Sequence, residues 1–273
     1  MFIKTRDNIN LYVNKVGNGY SCIYIHGGPG AWSKDFEVFC SDYLSNHLNM
    51  VYLDQRGCGR SEGTMYSDYS IDTIIEDIED IRKELKIDKC ILLAHSFGGI
   101  IATEYAYKYK QHIKGIILMN CTLDLKESLK SQINEGCKLL GIDSIYYCDN
   151  LIEVWKKIAF NLVKENKYYK LQYKEYENFL KVEDIDKGIL NTNMSNHAFN
   201  NESYFYDYRN ISSEIEVPTL IICGNKDYAI GINHYKTFNF KNSIVKIING
   251  KHNPYIEDTF ELVDIIKNFA LSL

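Results

Sequence analysis

The sequence predicts an α/β fold, with a mostly parallel central sheet covered by helices on both faces and a helical segment inserted after the sixth strand. Three observations predict it. Short continuous apolar runs at 21–25, 49–53, 90–94, 114–120 and 217–224 read as strands buried on both sides, the pattern of parallel strands. Helical periodicity at 70–85 and from 100 to about 110 separates strands in the alternation that builds such a sheet. The alternation stops at Thr122 and resumes at Val217, so the chain between them is inserted and must fold back. The expected organisation is a core of 1–121 and 214–273 with a helical cap over 122–213.

At 273 residues, 45% hydrophobic and 25% charged, the chain can bury a substantial core. A net charge of −5 without a basic run argues against nucleic-acid binding. No apolar stretch reaches the length of a membrane span, and the first residues carry no signal-peptide h-region. The eight cysteines are scattered, with no Cys-x-x-Cys pair. Free thiols in a cytoplasmic protein are therefore expected, and neither a metal nor a cofactor is.

In chain order, Met1–Thr5 and Asn10–Asn14 read as a hairpin. The strand Ser21–Ile25 ends in His26-Gly27-Gly28-Pro29-Gly30, a loop that cannot continue a strand but can bring backbone N–H groups against a ligand. The strand Asn49–Leu53 runs into Asp54-Gln55-Arg56-Gly57-Cys58-Gly59-Arg60-Ser61, read as a turn held by local hydrogen bonds of Asp54 and Arg56. Ser70 is a good N-cap for a helix whose stripe Ile71, Ile74, Ile75, Ile78, Ile81 and Leu85 faces the core, with its acidic face in solvent. The run Cys90–Ala94 passes through His95-Ser96-Phe97-Gly98-Gly99 directly into a helix. The inserted segment holds nine tyrosines, Tyr146, Tyr147 and Tyr173 among them, and Trp155. It is expected to lie over the carboxyl edge of the sheet, where open α/β folds bind ligands. The strand Val217–Gly224 ends in Asn225-Lys226-Asp227-Tyr228 and is followed by a helix near 231–238. The strand Ser243–Ile248 ends in Asn249-Gly250-Lys251-His252, and a helix from about Tyr255 to Leu271 closes the chain.

A strand that turns into a helix at a serine, with Ala94 and Gly98 two residues to either side, has the layout of a nucleophile elbow. Such a turn holds the Ser96 hydroxyl clear of the sheet. It aims the Phe97 N–H, at the positive end of the next helix, toward a developing oxyanion; Gly28 N–H is the candidate second donor. A serine alcohol needs a base, and the base an orienting carboxylate. Ser96, Asp227 and His252 follow the ends of three strands read as parallel, so their side chains can converge on one sheet edge. Asp124, after the sixth strand, is the competing acid. His26 and His95 are read as structural.

The loop at 26–30, the turn at 54–61, the elbow and the order Ser96, Asp227, His252 together resemble the α/β-hydrolase superfamily, and within it the proline iminopeptidase-like branch of serine aminopeptidases. The resemblance covers 1–121 and 214–273 well and the insertion poorly. It implies an aminopeptidase that releases an N-terminal residue, proline or another small one, from short peptides through an acyl-enzyme. It also implies that a cap carboxylate binds the substrate amine, a role that falls on Glu202 in Asn201-Glu202-Ser203-Tyr204-Phe205. Two features depart from the branch. Tyr228 stands where some members carry a second acid, and the chain is short for the family. A carboxylesterase using the same three residues is the alternative, and a non-catalytic ligand-binding member a third reading.

Overall fold

A computed structural model describes residues 1–142 and 150–273; Tyr146, Tyr147 and Cys148 lie outside the described residues. The elements are β1 (Phe2–Lys4), β2 (Asn10–Val16), β3 (Tyr20–Ile25), α1 (Lys34–Leu44), β4 (Leu48–Leu53), α2 (Ile71–Glu84), β5 (Cys90–His95), α3 (Gly98–Lys108) and β6 (Ile113–Met119). Then come α4 (Leu125–Leu140), α5 (Leu151–Lys164), α6 (Tyr176–Asp186), α7 (Asn193–His197), β7 (Thr219–Gly224), β8 (Ser243–Ile248), α8 (Pro254–Glu257) and α9 (Thr259–Leu271). The eight strands form one sheet in the order β1-β2-β4-β3-β5-β6-β7-β8. β2 pairs antiparallel with β1 and β4, and every other pairing is parallel.

The apolar runs split between the two faces with the two-residue period of a strand. Ile23, Ile25, Val51, Leu53, Leu92, Ala94, Ile116 and Leu118 pack with the buried stripes of α2 and α3. Their neighbours Cys22, Tyr24, Met50, Tyr52, Ile91, Leu93, Ile117 and Met119 pack with α1 and α9. Each buried Ile, Leu, Val or Met among them contributes about 1.5–3 kcal/mol, and the double coverage fixes where the strand ends stand. The helices between β6 and β7 keep a smaller core of their own, where Ile133 and Cys137 of α4 meet Val154, Ile158 and Leu162 of α5.

Several expectations change in detail. α1 has no counterpart in the sequence reading. The helix expected near 231–238 is a single 3-10 turn, His234–Thr237, and the closing helix breaks into α8 and α9 at Asp258. α2 is capped by Ser70 as expected, its side chain accepting from Thr73 N–H at 3.3 Å. Its acidic face is not all in solvent, because Asp77 and Glu79 are buried. Asp77 accepts from Arg56 at 2.6 Å through both oxygens, so Arg56 reaches a helix and is not confined to its own turn. Glu79 accepts from Arg82 and from the Tyr105 hydroxyl. The seven cysteines among the described residues are buried and free. No described helix is long and apolar enough to cross a membrane.

Candidate active site

β5 delivers Ser96 to the turn into α3. Ser96 takes φ +54°, a left-handed conformation that costs a non-glycine residue energy and clusters at functional sites. The close approach it needs is made by glycines on either side. A Cβ on Gly27 would come within 2.7 Å of Ser96 Cβ, and one on Gly98 would meet the carbonyl of Ile25.

β7 and β8 deliver Asp227 and His252 to the same edge. His252 Nε2 lies 3.0 Å from Ser96 Oγ, and His252 Nδ1 lies 3.0 Å from Asp227 Oδ2. Asp227 is held in turn, its Oδ1 accepting from the N–H groups of Ala229 at 3.0 Å and Ile230 at 3.2 Å. The backbone of His252 is pinned from both directions. Its carbonyl accepts from His95 Nε2 at 2.9 Å and Asn120 Nδ2 at 3.0 Å, and its N–H donates to the carbonyl of Gln172 in the inserted segment at 3.0 Å. Asn120 also accepts from Gly224 N–H at 2.7 Å, tying together the ends of β6, β7 and β8. Its φ of +46° is one that asparagine tolerates better than most residues, and an asparagine directly after an apolar strand is the sequence signal by which it could have been found. Burial holds the His95 imidazole well below its ordinary pKa, with the neighbouring His252 adding to the shift, so His95 is a neutral positioning group.

Ser96 and His252 open onto a cavity of about 420 Å³ walled by strand-end loops and by the inserted helices, a size suited to a small ligand. Gly28 and Phe97 line it, and among the described residues neither N–H has a hydrogen-bond partner. Most of the wall is apolar or aromatic, with Trp32, Leu129, Trp155, Tyr173 and Phe205 among its members. Two carboxylates, Asp35 of α1 and Asp186 of α6, also line it.

The other candidates lie elsewhere. Asp124 caps α4, accepting from Lys126 N–H at 3.0 Å, and pairs with Arg209 at 3.0 Å. His26 Nε2 accepts from Gln55 N–H at 2.9 Å, fixing the glycine loop to the neighbouring turn. Glu202 is the residue to which the resemblance gives the substrate amine. It is solvent-exposed on a 3-10 turn and is not among the residues that line the cavity. The turn sits on the start of α2, with Asn201 Nδ2 donating to Tyr69 O at 2.8 Å, and this turns Glu202 outward. No cluster of His, Cys, Asp or Glu suited to a metal ion occurs among the described residues.

Comparisons with known proteins agree with this architecture. A family model described as the alpha/beta hydrolase fold matches residues 22–132. A proline iminopeptidase of Saccharolobus solfataricus is 27% identical over 96% of this chain and 89% of its own length. The proline iminopeptidase-related protein of Thermus thermophilus superposes with a TM-score of 0.83 at 22% identity, over 100% of this chain and 97% of that one. An esterase from Exiguobacterium antarcticum superposes with a TM-score of 0.76 at 17% identity, over 98% of both chains.

Proposed function

We propose that this chain, an α/β hydrolase similar in sequence to proline iminopeptidases, is a serine aminopeptidase that releases a small N-terminal residue from short peptides. The observation that carries the reading is the unbroken relay from Ser96 Oγ to His252 to Asp227, with both links at 3.0 Å. In this mechanism Ser96 Oγ attacks the scissile carbonyl carbon while its proton passes to His252 Nε2. The oxyanion is held by Phe97 and Gly28 N–H. The C–N bond then breaks, and the His252 proton goes to the leaving amine. Water, deprotonated by His252, attacks the acyl-enzyme, frees the N-terminal residue and restores the Ser96 hydroxyl. Asp227 holds the Nδ1–H tautomer and steadies the imidazolium.

The apolar wall supports a second reading, a carboxylesterase of small esters with the same three residues. One experiment separates the readings and tests the nucleophile. Alanyl-, prolyl- and leucyl-arylamides and short-chain nitrophenyl esters are offered to the wild type and to Ser96→Ala. Arylamide cleavage lost at least a thousandfold in Ser96→Ala is the expected result. Cleavage of esters alone supports the esterase, and turnover that survives Ser96→Ala excludes both.

A further inference from the structure

We propose that Glu257 is a positioning residue for His252, joining the turn that carries the histidine to the inserted segment that walls the cavity. The inference rests on the serine-hydrolase reading and holds for amide and ester substrates alike.

His252 must keep two bonds at once, to Ser96 and to Asp227, both at 3.0 Å. It does so from a loop and not from a strand or helix, so its place depends on what holds the backbone around it. The carbonyls of Lys251 and His252 are held by Asn120, at 2.7 and 3.0 Å. The two N–H groups are held by other parts of the chain. His252 N–H donates to the Gln172 carbonyl at 3.0 Å, and Lys251 N–H donates to Glu257 Oε2 at 3.2 Å. The second oxygen of Glu257 accepts from the N–H of Lys174, two residues beyond Gln172. One carboxylate thus bridges the residue before the histidine and the strand of chain that supplies the histidine's own acceptor. The same inserted segment is tied once more by the Lys251 ammonium, which donates to the Lys170 carbonyl.

The bridge needs a carboxylate. Glu257 ends the short helix α8, six residues after Lys251. Burial raises its pKa, and the N–H groups of Lys174 and Lys251 oppose the rise. The Lys174 ammonium goes to Asp258 at 2.5 Å, so what Glu257 grips at Lys174 is backbone. Bonds from N–H groups to a charged acceptor are the stronger kind, and only a carboxylate offers an acceptor on each oxygen. A glutamine of the same shape would set an NH2 group against one of the two donors. Tyr168, Gln172 and Tyr173 of the gripped segment also line the cavity, so the wall that bounds a substrate and the backbone that holds the base are secured together. A displacement of about 1 Å at such a base is enough to cost on the order of a hundredfold in rate.

The test measures kcat and KM for p-nitrophenyl butyrate and alanyl-p-nitroanilide, and the rate at which a fluorophosphonate labels Ser96. It uses the wild type, Glu257→Gln and Asp258→Asn. The expected result is that Glu257→Gln lowers kcat at least tenfold on every substrate the wild type cleaves, with KM within twofold, and slows labelling by a similar factor. Asp258→Asn, which loses the Lys174 ion pair and leaves the bridge intact, should match the wild type in each readout. Unchanged kcat and labelling in Glu257→Gln, even with a lowered melting temperature, overturns the positioning role. So does a loss carried by KM alone, or an equal loss in Asp258→Asn. Should Glu257→Gln not fold, Glu257→Asp, which keeps both acceptor oxygens one methylene short of their donors, is read in the same way. Labelling that is as fast in His252→Ala as in the wild type overturns the serine-hydrolase reading itself.

Discussion

Two groups of carboxylates in this protein differ in how their charge is met. Around the turn that follows β4, each is matched to an arginine. Asp54 accepts from Arg60 Nε at 2.7 Å as well as from Ser33 N–H and Oγ. Against the cost of burial, those bonds hold its carboxyl below the usual range. Burial raises Asp77 to about 6, with the Arg56 contacts opposing the rise, so it is ionised at neutral pH. Around the cavity Asp35 and Asp186 have no such partner among the described residues. Burial raises Asp35 to about 7 despite the bond from Tyr255, and burial raises Asp186 as well. Charges matched to an arginine are neutralised within the fold, while the cavity acids carry theirs into the wall of the cavity.

The largest effect should come from breaking a matched pair. Arg56→Met strands Asp77 without its cation and should cost about 3–5 kcal/mol, read from the urea midpoint. Asp54→Asn should cost about 2 kcal/mol, less because Arg60 is partly exposed and can be hydrated. The depressed pKa of Asp54 makes its contribution present above the unfolded value, near 4, and lost as the pH falls through the lower folded value. The gap between wild type and Asp54→Asn should therefore close in acid.

Asp35 should behave oppositely. Its folded pKa lies above the unfolded one, so its contribution is complete below about pH 4 and lost as the pH rises through about 7. Asp35→Asn should consequently gain on the wild type between pH 5 and 8, by on the order of 2 kcal/mol, in paired thermal or urea melts. A gap that widens in acid instead would place Asp35 with the matched acids. Asp186→Asn and Glu202→Gln should move stability by less than about 0.5 kcal/mol, because an amide can still accept from the Trp32 indole and Glu202 is in solvent.

The contrast also explains what the sequence revealed. Ser96, Asp227 and His252 were legible because each follows a strand end, and parallel strands bring their ends to one edge. Asp54 and Arg56 were legible as turn residues, but Asp77 looked like one more acid on a solvated face. Which face of α2 is covered depends on Arg56 arriving from another element. Asp35 was lost with α1, although Phe36, Cys40 and Leu44 recur at helical spacing after Ser33. Asp186 lies in a segment with no strand to fix its direction, so its place depends on how α6 packs. The local motif around Glu202 carried no information about which way its turn would face.

The most direct measurement of the central claim, that this site uses Ser96 on substrates with a free amine, is the wild-type ratio of kcat/KM for alanyl-p-nitroanilide over its N-acetyl derivative at pH 7.5. The two substrates share the scissile bond and the leaving group and differ in the charge the cavity acids would meet. A ratio of at least a hundred, with both activities abolished in Ser96→Ala, is the predicted result. A ratio near one, or a preference for the acetylated substrate, would contradict it.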